Sequence, residues 1–522
     1  MNTRRLLAFV FMPLLLLAAC NLSGEVVTTL PPPTAPNVRI AQAATLAPVP
    51  TRELRPIASP TVTATLPPTA TAIVCAAAEA APVRHSVVAT IDYASKQVQV
   101  AQQTRYRNLT GSVLSEMVFA VEPNHWQGAF VLEAVRSNMA TLQHVLENNR
   151  LTITLPQPLE TDCEITIELA FQVLVPRIGS GITAFQGYFS YGERQLNMAN
   201  WLATVAPYLN GRWVVNPPQR IGEQTVLGVA DWDVTLNIMN ASGDLKIAAP
   251  GDVTQTGATQ WRYVFPRGRD FSISLSEYYR VNSQMTPSGV TIEVYSFPDA
   301  VRSTDNGPVD AGIFIMQQAA NALQQYADLF GVYPYQRLVV VQGDFPDGME
   351  FSGLVFVSTN WVYAFEGGYD NYLTVITVHE VSHQWWYTRV GNDAANAPWL
   401  DEALATYSEY IYYEEFYPDL KNWWWDFRVG GYNPQGAVDS SVYEFDNARD
   451  YINAVYLRGV QMLHNLREDI GTEAFFKLLA DYARVGDGQI ATPQLFWSLL
   501  TPEQYTATQD TRGQFLRIPE VR

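Results

Sequence analysis

The apolar positions along the chain change period once, and that change divides it. From about residue 73 to 279, runs such as SVVATIDYASKQVQVAQQTRYRNL, RLTITLP, CEITIELAFQVLV, DWDVTLNIM and FSISLSEYY alternate β-branched or aromatic residues with polar ones. A period of two puts one apolar row on one face of a sheet, so this stretch predicts an antiparallel β-rich domain, sandwich-like or saddle-like. After about residue 290, AGIFIMQQAANALQQYADLFG spaces its apolar positions three and four apart and ends on glycine, the pattern of a helix with its stop signal. RLVVVQG and GLVFVST read as short strands. Helices follow over YLTVITVHEVSHQWWYTRV, WLDEALATYSEYIYYEEF, NAVYLRGVQMLHNLRED, GTEAFFKLLADYARV and ATPQLFWSLL. The predicted fold class is α+β: a β-rich domain over residues 73–285, then a mostly helical domain with a small sheet over 286–522.

The N-terminal stretch obeys neither period. MNTRR followed by LLAFVFMPLLLL is a basic, then apolar, export signal, and residues 1–20 are expected to be removed from the fold. Its end, Leu17-Ala18-Ala19-Cys20, resembles a bacterial lipobox with Cys20 as the lipidated residue; an ordinary signal peptide with an incidental cysteine is the alternative. Residues 21–72 are rich in Pro, Thr and Ala, too poor in large apolar groups to form a core, and read as an extended spacer. The expectation is an exported chain anchored to a membrane or cell surface through an N-terminal lipid.

Composition narrows the classes. At 48% apolar and 16% charged residues, most of the 522-residue chain is expected to fold. A formal charge of -18, with no basic stripe, excludes nucleic acid as a partner, because phosphates are met by clustered Lys and Arg. Cys75 and Cys163 remain after Cys20; in an exported chain they read as one disulfide, or else as two separate buried thiols. His85, His125 and His144 are scattered and read as ordinary histidines.

The chemistry concentrates in the helical half. His379-Glu380-Val381-Ser382-His383 places two imidazoles about one helical turn apart, on one face, where they can meet one metal ion. Glu380, beside the first of them, is placed to activate a water and not to bind metal. A catalytic zinc takes three protein ligands, and Glu402 of WLDEALATYSE, after eighteen intervening residues, is the third. One Zn2+ per chain is expected. Glu409, seven residues beyond Glu402, lies two turns along the same face and is a candidate to orient a histidine; Ser382 and Gln384 flank the second histidine. All three also read as packing or solvated residues.

HEVSHQWW, eighteen residues, then the Glu of WLDEA is similar to the gluzincin aminopeptidase family, which includes the alanyl aminopeptidases and leukotriene hydrolase. Gly348-Met349-Glu350 resembles that family's glycine-x-methionine-glutamate-asparagine motif, and Tyr456 in AVYLRG its Y-x-x-G tyrosine, with Tyr451 as competitor. NWLATVAPYLNGRW and the RDF of Arg269–Phe271 also look like the family's N-terminal domain, so the resemblance covers about residues 75 to 500. It implies that the substrate is a peptide, that Glu350 with Gly348 and Met349 binds its free N-terminus, and that Tyr456 stabilises the oxyanion. Asp401, Ala403 and Phe351 depart from the family's Asn, Gly and Asn. No second amine-binding residue stands out in the β domain; Gln195 and Asn197 are positional candidates only. The chain ends where the family's C-terminal helical domain would begin, which leaves an open-cleft endopeptidase, or an inactive peptide-binding lipoprotein, as alternatives.

Overall fold

Strands β1 (Val83–Asp92), β2 (Gln97–Arg107), β3 (Phe130–Ser137), β4 (Glu164–Leu174), β5 (Ala230–Met239) and β6 (Gln260–Gly268) make most of one large sheet, ordered β6-β5-β1-β2-β4-β3. These strands come from a computed structural model that describes residues 73–75, 81–179, 187–305 and 307–517; the expected signal, Cys20 and spacer lie outside the described residues. Alternation along the strands does what the sequence pattern requires: Trp232, Val234, Leu236 and Ile238 of β5 are buried, and the residues between them are half-buried. The pairings within this set are antiparallel except β1 with β5, which run parallel. A parallel pair needs a long crossover, and residues 93–229 supply it, carrying β2 to β4, one whole four-stranded sheet and half of another. Cys75 and Cys163 form a disulfide, beside the short pairing of Ile73–Val74 with β4.

A second sheet contains β7 (Arg280–Met285), β8 (Thr291–Ser296), β9 (Arg337–Gly343), β10 (Met349–Phe351) and β11 (Leu354–Ser358), ordered β7-β8-β9-β11-β10. By pairing, β7 belongs here, so the division between the sheets falls before Arg280 and not after residue 285. The hairpin turn at Thr286–Gly289, with Gly289 at a φ of 86°, joins β7 to β8. Period two continues through β7, so the apolar pattern alone does not reveal which sheet it joins. β9, buried at nearly every position, is the central parallel strand; β10 is the antiparallel edge.

Helices α1 (Ala311–Phe330), α2 (Tyr372–Ser382), α3 (Trp399–Phe416), α4 (Arg458–Ile470) and α5 (Thr472–Val485) pack against this sheet and one another. Asp310 caps α1 by accepting from the Ile313 amide, and Asn371 caps α2 by accepting from the Thr374 amide. Every residue of α2 is buried, as expected of a helix that is apolar on all sides. It does not run on to Val390 as its sequence suggests. After Ser382 the chain enters a wide turn, Gln384–Arg389, in which Trp386 and Tyr387 leave helical backbone geometry. The carbonyls of residues 387 to 389 accept from the Arg269 side chain instead of continuing the helix.

The Tyr326 hydroxyl of α1 lies at the joint of α1, α2 and α3, 3.3 Å from the Val378 carbonyl and 3.0 Å from the Ser408 carbonyl. Tyr326→Phe is expected to cost about 1 kcal/mol, read as a lower urea midpoint at unchanged slope; an unchanged midpoint would show that this joint contributes nothing.

Candidate active site

α2 and the first turn of α3 bring three ligand atoms to one point. His379 Nε2 lies 3.4 Å and His383 Nε2 3.7 Å from Glu402 Oε2. All three side chains are buried, and their ligand atoms face one another there. Ligands at zinc distances of about 2.1 Å in a tetrahedron stand about 3.4 Å apart, so the donor set fits that ion in both spacing and chemistry. The opposite face of each ring is fixed by a carboxylate. His379 Nδ1 is 2.8 Å from Glu409 Oε1, and Glu409 Oε2 accepts from Trp424 and from Arg428, each at 3.0 Å. His383 Nδ1 is 2.6 Å from Asp401 Oδ1. A ring that donates through Nδ1 presents the Nε2 lone pair inward.

Asp401 was legible as a departure from the family's Asn and as an acidic residue near a helix start, and neither reading gave it a partner; it does for His383 what Glu409 does for His379. Burial would discharge both rings. The hydrogen bonds to Glu402 and Glu409 outweigh it and hold His379 up at about 10, and Asp401 holds His383 up at about 9. Burial in turn raises Asp401 to about 6. The environment favours positive charge where the three ligands meet.

Strand alternation sorts the Gly348-Met349-Glu350 segment. Glu350 is buried beside the ligand set, one oxygen within 4.8 Å of donor atoms on His383 and Asp401. Met349, only 4% exposed, packs with Phe345, Phe351 and Phe356 in an apolar cluster, so its side chain is given to the core and not to the substrate-binding role the resemblance implied. Phe351, in place of the family's Asn, belongs to the same cluster. Gly348 makes room: a Cβ there would meet Glu380 Oε1 at 2.0 Å, so the absent side chain lets the Glu380 carboxylate lie against the strand. Burial raises Glu380 to about 7, against the lowering influence of the two histidines. Asp347, also buried and at a φ of 76°, has its carboxyl pushed far above the usual range by burial and then by Glu380.

The β domain contributes a carboxylate that no motif announced. Glu223, in the loop between Pro218 and β5, interacts directly with Glu350; burial, then Asp401 and Glu402, raise it to about 8. Burial and then Glu223 push Glu350 well above its usual value. Gln195 and Asn197 are elsewhere. Gln195 bonds Tyr279, Ser274 and the Gln342 carbonyl, and Asn197 bonds the Gly187 carbonyl. Both cement packing and neither takes the amine-binding position considered for them. The only signal for Glu223 was an acidic residue in a loop rich in Pro and Gly, which is too common to single out.

Tyr456 sits in a π-helical turn, Ile452–Leu457, its ring parallel to that of His379 at 6.3 Å and its hydroxyl acting on Glu402. Tyr451 packs on Phe445 and Tyr456 and lies against Gly222, one residue from Glu223. Of the two candidates, Tyr456 is the one beside the ligands. What brings it there is a close contact of small residues: a Cβ on Gly459 would lie 2.4 Å from that of Ala403. Ser382 donates to the His379 carbonyl, while Gln384 bonds the Phe351 carbonyl and the Gly353 amide, tying the β10–β11 turn to the residue after His383.

Residues 314–511 match the peptidase family M1 domain, and that span contains both histidines, Glu402, Glu350 and Tyr456. The helical half of the chain is thus similar to the peptidase family M1 domain over that span. Aminopeptidase M1-B of Oryza sativa subsp. japonica is 28% identical over 240 residues, covering 43% of this chain and 26% of that protein. Endoplasmic reticulum aminopeptidase 1 of Mus musculus is 26% identical over 237 residues, 41% and 24% of the two chains. The match thus spans about a quarter of the length of these curated relatives. An M1 zinc metallopeptidase from Deinococcus radiodurans superposes with a TM-score of 0.58 at 16% identity, over 84% of this chain and 95% of that one. A mutant of a two-domain M1 zinc metallopeptidase, bound to L-arginine, gives a TM-score of 0.59 at 16% identity, over 84% and 94%. These likenesses are of fold, and at 84% coverage they take in the β-rich half as well as the helical one.

Glu409→Gln keeps the shape but weakens the acceptor behind His379. Zinc affinity of the protein is expected to fall about 10- to 100-fold, measured by competition with a chelator; unchanged affinity would remove Glu409 from the site.

Proposed function

We propose that this chain is a zinc aminopeptidase that hydrolyses the first peptide bond of extracellular peptides carrying a free N-terminus. The observation that carries the reading is the direct approach of Glu223 to Glu350 beside the His379, His383 and Glu402 donor set. Two carboxylates beside the metal-ligand set select an ammonium and are stabilised by it. They also fix how far the scissile bond lies from the chain end. The L-arginine-bound solved neighbour and another bound to Tyr-ser-ala agree with a peptide-end ligand on this fold.

Zn2+ held by His379, His383 and Glu402 supplies Lewis acidity to the scissile carbonyl and to the attacking water. Glu380 takes the proton of that water and delivers it to the leaving amine. Its raised affinity for a proton, at about 7, suits both halves of the task near neutrality. The Tyr456 hydroxyl donates to the oxygen on which charge develops, an interaction stronger in the transition state than in the ground state. The apolar wall of β10 and β11 behind Met349 and Phe351 keeps the strand rigid and dry. An N-terminal lipid on Cys20 and the spacer behind it would present this site outside the cell; the signal-like first twenty residues support that placement.

Glu380→Gln is expected to keep zinc at one equivalent while kcat falls about 10²- to 10⁴-fold; turnover at the unmutated rate would end this mechanism. A peptide pool, half of it N-acetylated, followed by mass spectrometry, tests the class of activity. Single-residue loss confined to free N-termini is expected, and internal cuts in both halves would point to an endopeptidase. Glu350→Gln is expected to raise KM for free-amine peptides about tenfold or more, with no such rise for acetylated ones.

A further inference from the structure

Arg269 and Asp270 follow directly on β6, and Phe271 after them is buried in the β core. The Arg269 guanidinium, itself buried, donates to five main-chain carbonyls, those of Leu227, Tyr387, Thr388, Arg389 and Gln489. Its backbone amide donates to Ser352 Oγ at 3.0 Å. Asp270 Oδ2 accepts from the Ser352 amide at 2.9 Å and from the Tyr387 hydroxyl at 2.8 Å. Each partner stands close in sequence to a functional group. Leu227 is four residues from Glu223, Ser352 two from Glu350, and Tyr387 four from His383.

Burying a guanidinium on carbonyls is a poor way to gain stability, because apolar packing of the same volume does as well or better. It is a good way to fix geometry, since the planar fork holds several directions at once. The fit leaves no slack: a Cβ on Gly391 would fall 2.6 Å from Arg269 Cζ.

We propose that Arg269 and Asp270 are positioning residues that hold the Glu223 loop and the Glu350 strand at a set distance from the zinc helix, and so set the one-residue cleavage register. The proposal rests on the aminopeptidase reading. The β domain is then the ruler of the site as well as the source of one of its carboxylates.

The test uses the full folded domains loaded with zinc, with Arg269→Lys, Asp270→Asn and the milder Tyr387→Phe, which removes one hydroxyl. A free peptide and its N-acetylated twin are compared for each variant. Zinc content is expected to stay at one equivalent, while kcat/KM on the free peptide falls about tenfold or more in the first two variants and less in the third. The free-to-acetylated preference is expected to drop with it. A lowered melting temperature with unchanged preference would make the pair merely structural and overturn the proposal. If Arg269→Lys or Asp270→Asn does not fold, Tyr387→Phe decides, and an unaltered preference in it counts against the pair. A wild-type protein indifferent to acetylation would sink the aminopeptidase reading first, and this proposal with it.

Discussion

The arrangement depends on placing several carboxyl groups around two histidines inside a protein. Asp347, Glu350, Glu380, Asp401, Glu402 and Glu409 are all buried, and Glu223 approaches Glu350 from the other domain. Like charges this close cannot all ionise in a medium that solvates them poorly. The two histidines and Arg428, which bonds Glu409, supply part of the balance. A dication among the ligands and an ammonium between Glu223 and Glu350 would supply the rest. On the proposed reading the site would hold two cations of different kinds, with the spacing between them set by the scaffold.

That spacing is governed by backbone more than by side chains. Gly348 allows the Glu380 carboxylate to touch the edge strand, and Gln384 bridges the β10–β11 turn to the helix that carries the ligands. The break after Ser382 is part of the same design. The departure of Trp386 and Tyr387 from helical geometry sets the directions in which the carbonyls of residues 387 to 389 point, and Arg269 bonds all three.

Legibility in the sequence followed range. His379, Glu380, His383 and Glu402 were readable because one helix turn and a loop of ordinary length relate them. The α3 span, Trp399–Phe416, coincided with the stretch read as a helix, since Pro398 and the acidic first turn mark its start. Asp401 was present in the same segment but looked like a helix-start charge. Its bond to His383 depends on how α2 and α3 cross, and no local pattern encodes that. Glu223 was invisible for a stronger reason: its partner Glu350 is more than a hundred residues away, in a different sheet. Met349 was misread because a motif gives the residues of a strand without saying which face each one takes, whereas the pleat turns Glu350 to the ligand set and its neighbours to the core.

The contact between Ala403 and Gly459 carries a consequence for how such a site can change over time. With a Cβ on position 459 falling 2.4 Å from that of Ala403, the two positions share a single allotment of volume. One methyl fits between the helices and two do not. Where a homologue carries glycine after the zinc-ligand glutamate, position 459 is released to hold alanine, and the helix bearing the tyrosine can stay where it is. A side chain added at position 459 while Ala403 stays would therefore push the helix bearing Tyr456 away from the ligands before any residue of the motif itself was lost.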